Sequence, residues 1–152
     1  MPGWLLDTNV DSELRKPRCD PHVRAWAEVL PPETLFLSRI TLAEIRFGIE
    51  RLARYDGFRV ELETWLAMVL RPWFAGRILE IDETVLLTWR RMIQRGRARH
   101  HTFAQPDLFI AAIADVHGLV VVTRNAEGFV VADVAVLNPW LAPPVGGGTA
   151  LE

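Results

Sequence analysis

Apolar and polar positions along the chain alternate between two rhythms. Short apolar runs at GWLLDT (3–8), TLFLS (34–38), RILEID (77–82), LVVVT (119–123) and VAVLN (134–138) predict strands. LVVVT is β-branched and does not alternate, the pattern of a strand covered on both faces. Between these runs the apolar residues recur at three- and four-residue steps. DPHVRAWAEVL (20–30) predicts a helix with Asp20 as its cap and Pro21 in its first turn. In RITLAEIRFGIERLARY (39–55), Leu42, Ile45, Ile49 and Leu52 line one helical face. FRVELETWLAMVLRPWF (58–74) predicts a helical arm ending near Pro72 and Gly76, and ETVLLTWRRMIQRGRAR (83–99) a further helix. QPDLFIAAIADVHG (105–118) is apolar almost all round, so it predicts a buried helix with Pro106 at its start and Gly118 at its stop.

Strands alternating with helices imply an α/β domain with a mainly parallel sheet. No repeat or linker divides residues 1–141, which predict one domain. The remainder, 142–152, is Pro/Gly-rich and predicts a flexible tail whose last two residues have the look of a cloning remnant. Composition narrows the class only a little. A net charge of −2 over 152 residues gives no overall basic field, and Lys16 is the only lysine among 17 basic residues. Arginine suits phosphate recognition, and a GC-rich coding bias explains the same excess. Cys19 is the single cysteine, which excludes an internal disulfide. The N-terminus shows no basic leader, and no apolar run reaches the roughly 18 residues needed to cross a bilayer. A cytoplasmic protein without membrane contact is expected.

In such sheets, ligands bind beyond the carboxyl ends of the strands. Asp7, Thr123, Arg124 and Asn125 are predicted at such ends. Asp7, Glu44 and Asp107 each have a local explanation: Asp7 as a helix cap, Glu44 as the acid of a capping box with Thr41, and Asp107 as first-turn charge favoured by the helix dipole. Together they are three acids at helix entrances of one parallel domain. If the fold gathers them, their repulsion calls for a cation, and their hard oxygens suit Mg2+ or Mn2+.

LLDTNV (5–10), ITLAEIRFGI (40–49), QPDLFIAAIADVHGL (105–119) and VVVTRNAEGF (120–129) resemble, in that order, the motifs of PIN-domain proteins, most closely the VapC/FitB-like toxins. The resemblance runs through to VLNPW (136–140). It implies a three-layer α/β/α sandwich acting as a Mg2+- or Mn2+-dependent ribonuclease, a homodimer neutralised by a cognate antitoxin. Carried over by position, Asp7, Glu44 and Asp107 are the metal-binding and catalytic acids. Thr8, Asn9, Thr123, Arg124 and Asn125 are expected around them or against substrate.

One position departs. TRNAEGF has Gly128 where the family places a later aspartate, Asn125 is neutral, and Glu127 stands one position early. Asp115 lies eight residues beyond Asp107, roughly 12 Å along a helix, too far for the same ion. One tight metal is therefore expected, with a second weak or carried in by substrate phosphate. Arg95, Arg97 and Arg99, in the densest basic stretch, are candidate RNA contacts, with a solvated helix end as the alternative. Trp4 and Trp89 fit core positions; Trp65 and Trp73, on the arm, fit either internal packing or a partner surface.

Two other classes compete. A binding module that has lost catalysis is consistent with Gly128. An aspartyl phosphatase needs an acid two residues after its nucleophile, and here that residue is Asn9.

Overall fold

The structure, a computed structural model, describes residues 3–103 and 105–141; the predicted tail lies outside the described residues. Five strands, β1 (Gly3–Leu6), β2 (Leu35–Ser38), β3 (Ile78–Leu79), β4 (Leu119–Val122) and β5 (Val136–Leu137), form one sheet in the order β3-β2-β1-β4-β5. Every pairing is parallel, and β1 lies against β4 along its whole length, from Gly3 beside Leu119 to Leu6 beside Val122. The strand order reverses between these two central strands, which opens a crevice at their carboxyl ends.

Side chains of successive strand residues point to opposite faces, and two cores result. Trp4, Leu6 and Val122 face one layer, with Val10, Trp26, Leu42, Ile45, Leu66 and Phe74. Leu5 and Val121 face the other, with Val85, Met92, Leu108, Ile113 and Phe129. The first layer is built by α1 (Thr8–Arg15), α2 (Pro21–Glu28), α3 (Arg39–Glu50) and the arm: α4 (Gly57–Trp65), a π-helical turn at Leu66–Leu70, and α5 (Arg71–Trp73). The second holds α6 (Glu83–Ala98), α7 (Gln105–His117) and the short α8 (Ala126–Val130). This is the three-layer sandwich expected from the sequence. Burial of Leu108 and the whole run Ile110–Ala114 accounts for the apolar sequence of α7.

Three local expectations are corrected. GWLLDT does not stay extended: the strand stops at Leu6, Asp7 caps α1, and Thr8 is already helical. The capping box at Thr41 and Glu44 does not form. Helix α3 starts one turn earlier, where Ser38 at the end of β2 accepts from the Thr41 amide at 3.1 Å. Helix α8, too short to show a periodicity, was not expected. The caps predicted elsewhere hold: Asp20 accepts from the His22 amide at 2.8 Å, and Gly118 takes the left-handed φ of 64° that ends α7. Among the described residues, no helix is long and apolar enough to cross a membrane.

Candidate active site

The pairing of β1 with β4 decides the site. Because Leu6 lies beside Val122, the next residues, Asp7 and Thr123, emerge together at the crevice. The Thr123 hydroxyl donates to Asp7 Oδ2 at 2.8 Å, and the Thr8 amide donates to Asp7 Oδ1 at 2.8 Å. Asn9 Nδ2 reaches both Asp7 Oδ2 (3.4 Å) and Thr123 Oγ1 (3.3 Å). The Asn125 amide donates to Thr123 Oγ1 at 3.0 Å. Asp7 and Thr123 are both buried, so this network fixes the carboxylate from two strands.

Glu44 and Asp107 approach from opposite layers. Freed from capping by Ser38, Glu44 stands in the second turn of α3 and is exposed. Asp107 stands in the first turn of α7 and is partly exposed. All three acids are held above the usual carboxylate range. Burial is the main cause for Asp7, against the lowering effect of the Thr123 and Thr8 hydrogen bonds. For Glu44 the causes are partial burial, then the charges of Asp7 and Asp107. The Thr8 hydroxyl tempers that shift from nearby, without a hydrogen bond of proper geometry. Asp107 is raised by burial and then by Asp7. Each of the three pairs therefore interacts through space.

The donor set fits a hard divalent cation: carboxylates, already partly desolvated and repelling one another, gain from a charge between them. As the side chains stand, no three acidic, histidine or cysteine groups among the described residues lie close enough to hold an ion.

Position 128 belongs to this pocket. A Cβ placed on Gly128 would lie 3.5 Å from Asp107 Oδ2 and 3.7 Å from Asn125 Nδ2. A side chain there would stand against Asp107, and glycine supplies none. Glu127 is exposed on α8.

Arg124 is anchored at three points beside the acids. Its amide donates to Asn9 Oδ1 (3.2 Å), its carbonyl accepts from Asn138 Nδ2 (3.3 Å), and its guanidinium lies over the Trp140 ring at 5.0 Å. The roles of Asn138 and Trp140 were not foreseen, because nothing local in NPW shows what it will touch. The basic stretch is less concentrated than its sequence. Arg95 and Arg97 are exposed in the last turn of α6, whereas Arg99 is paired with Asp133 at 2.9 Å. Trp4 is buried and Trp89 partly so; Trp65 is half-buried, and Trp73 is 45% exposed on the arm.

One acid went unnoticed. Asp11, one turn after Asp7 on α1, is buried to 2% exposure, and its Oδ2 has no hydrogen-bond partner. Burial, and then the charge of Asp7, push it well above the usual range. The signal was available in the spacing: an acid four residues after the cap shares its helical face.

Comparison with known proteins agrees with this geometry. Residues 4–135 match the PIN domain family. Toxin FitB of Neisseria gonorrhoeae is 41% identical, over 90% of this chain and 97% of its own length. A VapC ribonuclease, Y4jK of Sinorhizobium fredii, is 35% identical over 90% of this chain and 96% of its own. Among solved structures, FitAcB from Neisseria gonorrhoeae superposes with a TM-score of 0.84 at 40% identity, covering 91% of this chain and 99% of that one.

Proposed function

The chain belongs to the PIN-domain family, and from that premise we propose that it is the toxin of a toxin–antitoxin pair, a Mg2+- or Mn2+-dependent endoribonuclease working in the cytoplasm. The observation that supports the reading is the electrostatic coupling of Asp7, Glu44 and Asp107, carried by three different elements near the crevice where β1 and β4 diverge. An ion held by these three would supply Lewis-acid activation of water and neutralise charge on the phosphate under attack.

The chain's own residues do the rest. Thr123 and the Thr8 amide hold Asp7 at both oxygens, so its carboxylate is fixed by donors from the ends of both central strands. Asn9 ties the ends of both central strands and fixes the backbone of Arg124. Arg124, its backbone tied to Asn9 and its guanidinium over Trp140, is a candidate cation for a substrate phosphate. Asn9 is occupied as a bridging amide and cannot donate a proton to a leaving group, which disfavours the phosphatase reading.

Purified chain should cleave RNA with Mg2+ or Mn2+, and chelation should abolish the cleavage. Activity surviving in both Asp7→Asn and Asp107→Asn would sink the assignment. A cognate antitoxin and a homodimer belong to the same reading; apolar side chains left exposed on α3 and α4, such as Phe47, Phe58 and Val60, support a protein contact on that side. Gly128 favours one alternative, an RNA- or protein-binding module with impaired catalysis. The same assay distinguishes it: retained RNA binding without cleavage under either metal.

A further inference from the structure

Among the described residues, no ion pair reaches Asp7, Glu44 or Asp107. Arg124 is not among the charges that shift any of the three. Its main chain is nevertheless tied into their network. The Arg124 amide donates to Asn9 Oδ1 at 3.2 Å, and Asn9 Nδ2 reaches Asp7 Oδ2 at 3.4 Å. An exposed arginine one residue after the threonine that clasps Asp7 has the acids as its obvious counter-ions. Its guanidinium instead lies over the Trp140 ring, 5.0 Å from the centroid. That ring is itself placed. The Trp140 amide donates to Asn138 Oδ1 at 3.0 Å, Asn138 Nδ2 donates to the Arg124 carbonyl at 3.3 Å, and Trp140 packs against the first core.

We propose that Trp140 is a positioning residue. By holding the Arg124 guanidinium on its ring, it keeps this cation out of the acidic pocket, leaving the carboxylates to a metal ion and the arginine to an RNA phosphate. An exposed cation–π contact and an exposed ion pair are of similar strength, so the ring is able to decide which of them the arginine makes. Without the ring, the partly desolvated acids, whose mutual repulsion any cation relieves, become its favoured partners. The chain would then inhibit itself, with Arg124 in the place of the metal. The proposal rests on the metal-dependent reading of the pocket and adds to it a residue outside the acids.

Calorimetric titration of Mn2+ into the full chain, without RNA, tests this directly. Trp140→Leu should weaken Mn2+ binding about fivefold, the scale of one ion pair set against the metal. Trp140→Phe keeps a ring for the guanidinium and should stay within about twofold of the unaltered chain. The double variant Trp140→Leu/Arg124→Gln should regain the affinity of Arg124→Gln alone, because no cation is left to enter the pocket. A merely structural role for Trp140 would leave the double variant as weak as Trp140→Leu. Arg124→Lys tests the same point with the Trp140 packing intact: lysine stacks less well on a ring, so it should weaken Mn2+ binding where Arg124→Gln does not. Near-UV circular dichroism checks the packing of each variant. Mn2+ binding indifferent to Trp140→Leu and Arg124→Lys, or a double variant without recovery, would overturn this proposal alone. No Mn2+ binding by the unaltered chain would overturn the metal reading with it.

Discussion

Asp7 and Asp11 stand one turn apart on the same short helix, both buried, and the fold treats them in opposite ways. Asp7 has its two oxygens engaged by Thr8, Thr123 and Asn9. Asp11 has a buried oxygen with no partner and lies in the wall of an apolar groove between α1, α2 and the arm. The difference comes from what each end of α1 meets. Its start abuts the ends of two strands, where backbone amides and a hydroxyl converge; its middle packs on an apolar core and the arm. A buried carboxylate is tolerated in the first place because donors are built around it. In the second, no described residue supplies a partner to Asp11 Oδ2.

The largest effect that tests this contrast is catalytic. Asp7→Asn should lower metal-dependent RNA cleavage by at least about 100-fold, or about 2.7 kcal/mol of barrier. Asp11→Asn should leave the same initial rate within about threefold. Comparable losses in both would erase the distinction between a site acid and a groove acid.

Stability should separate the two residues by sign. Asp7→Ala removes the cap of α1 together with the Thr123 contact and should cost about 1–2 kcal/mol in urea denaturation. Asp11→Leu replaces an unpartnered carboxyl with an apolar group and should raise Tm by a few degrees, the gain of about 1 kcal/mol for a chain this long.

Acidity and metal sharpen the picture of the pocket. Asp7, Glu44 and Asp107 are raised in the folded state, so folding takes up protons between the ordinary carboxylate values and the raised ones. Their contribution to stability is fully present below the unfolded values and is lost as pH rises through the folded values. Glu13 opposes this trend. It is lowered, first by the Asp20 amide it accepts at 2.8 Å, so its contribution is lost as pH falls. Saturating Mg2+ should therefore raise Tm more at pH 7.5 than at pH 5, by about 5–10 °C at a hundred times its Kd. Asp107→Asn should remove most of that gain in differential scanning fluorimetry.

The smallest expected change is at Gly128. Gly128→Asp would set an acid against Asp107 and should tighten Mn2+ binding several-fold in calorimetry, with a second ion becoming detectable. Unchanged affinity and stoichiometry would show that position 128 does not complete the metal site.

How much was legible in advance varied with the range of the interaction. The sheet and the large helices could be read because burial imposes period 2 or 3.6 on their residues over many positions: LVVVT became the central β4, and Ile110–Ala114 the buried side of α7. The acids could be named individually from their places at strand ends and helix entrances. Glu44 was assigned the wrong local partner, since the hydroxyls of Ser38 and Thr41 are equivalent cap candidates until the end of β2 is fixed. Helix α1 was obscured because its apolar residues are few and Asp11, a polar residue, occupies an inward position. Arg99 read as free for RNA and is instead paired with Asp133, 34 residues away.

From the sequence alone came the alternating α/β plan, the helix stops at glycine, and the identity of the acids, because each depends on residues within one or two turns of each other. Which carboxylates share a crevice, that Asp7 is clasped by a threonine 116 positions away, and that Asp11 faces a groove without a partner were decided by tertiary structure. Side-chain charge is written into the chain, but desolvation and Coulomb energy depend on what other segments bring alongside, and only the register of β1 against β4 and the packing of the arm on α1 set those neighbours.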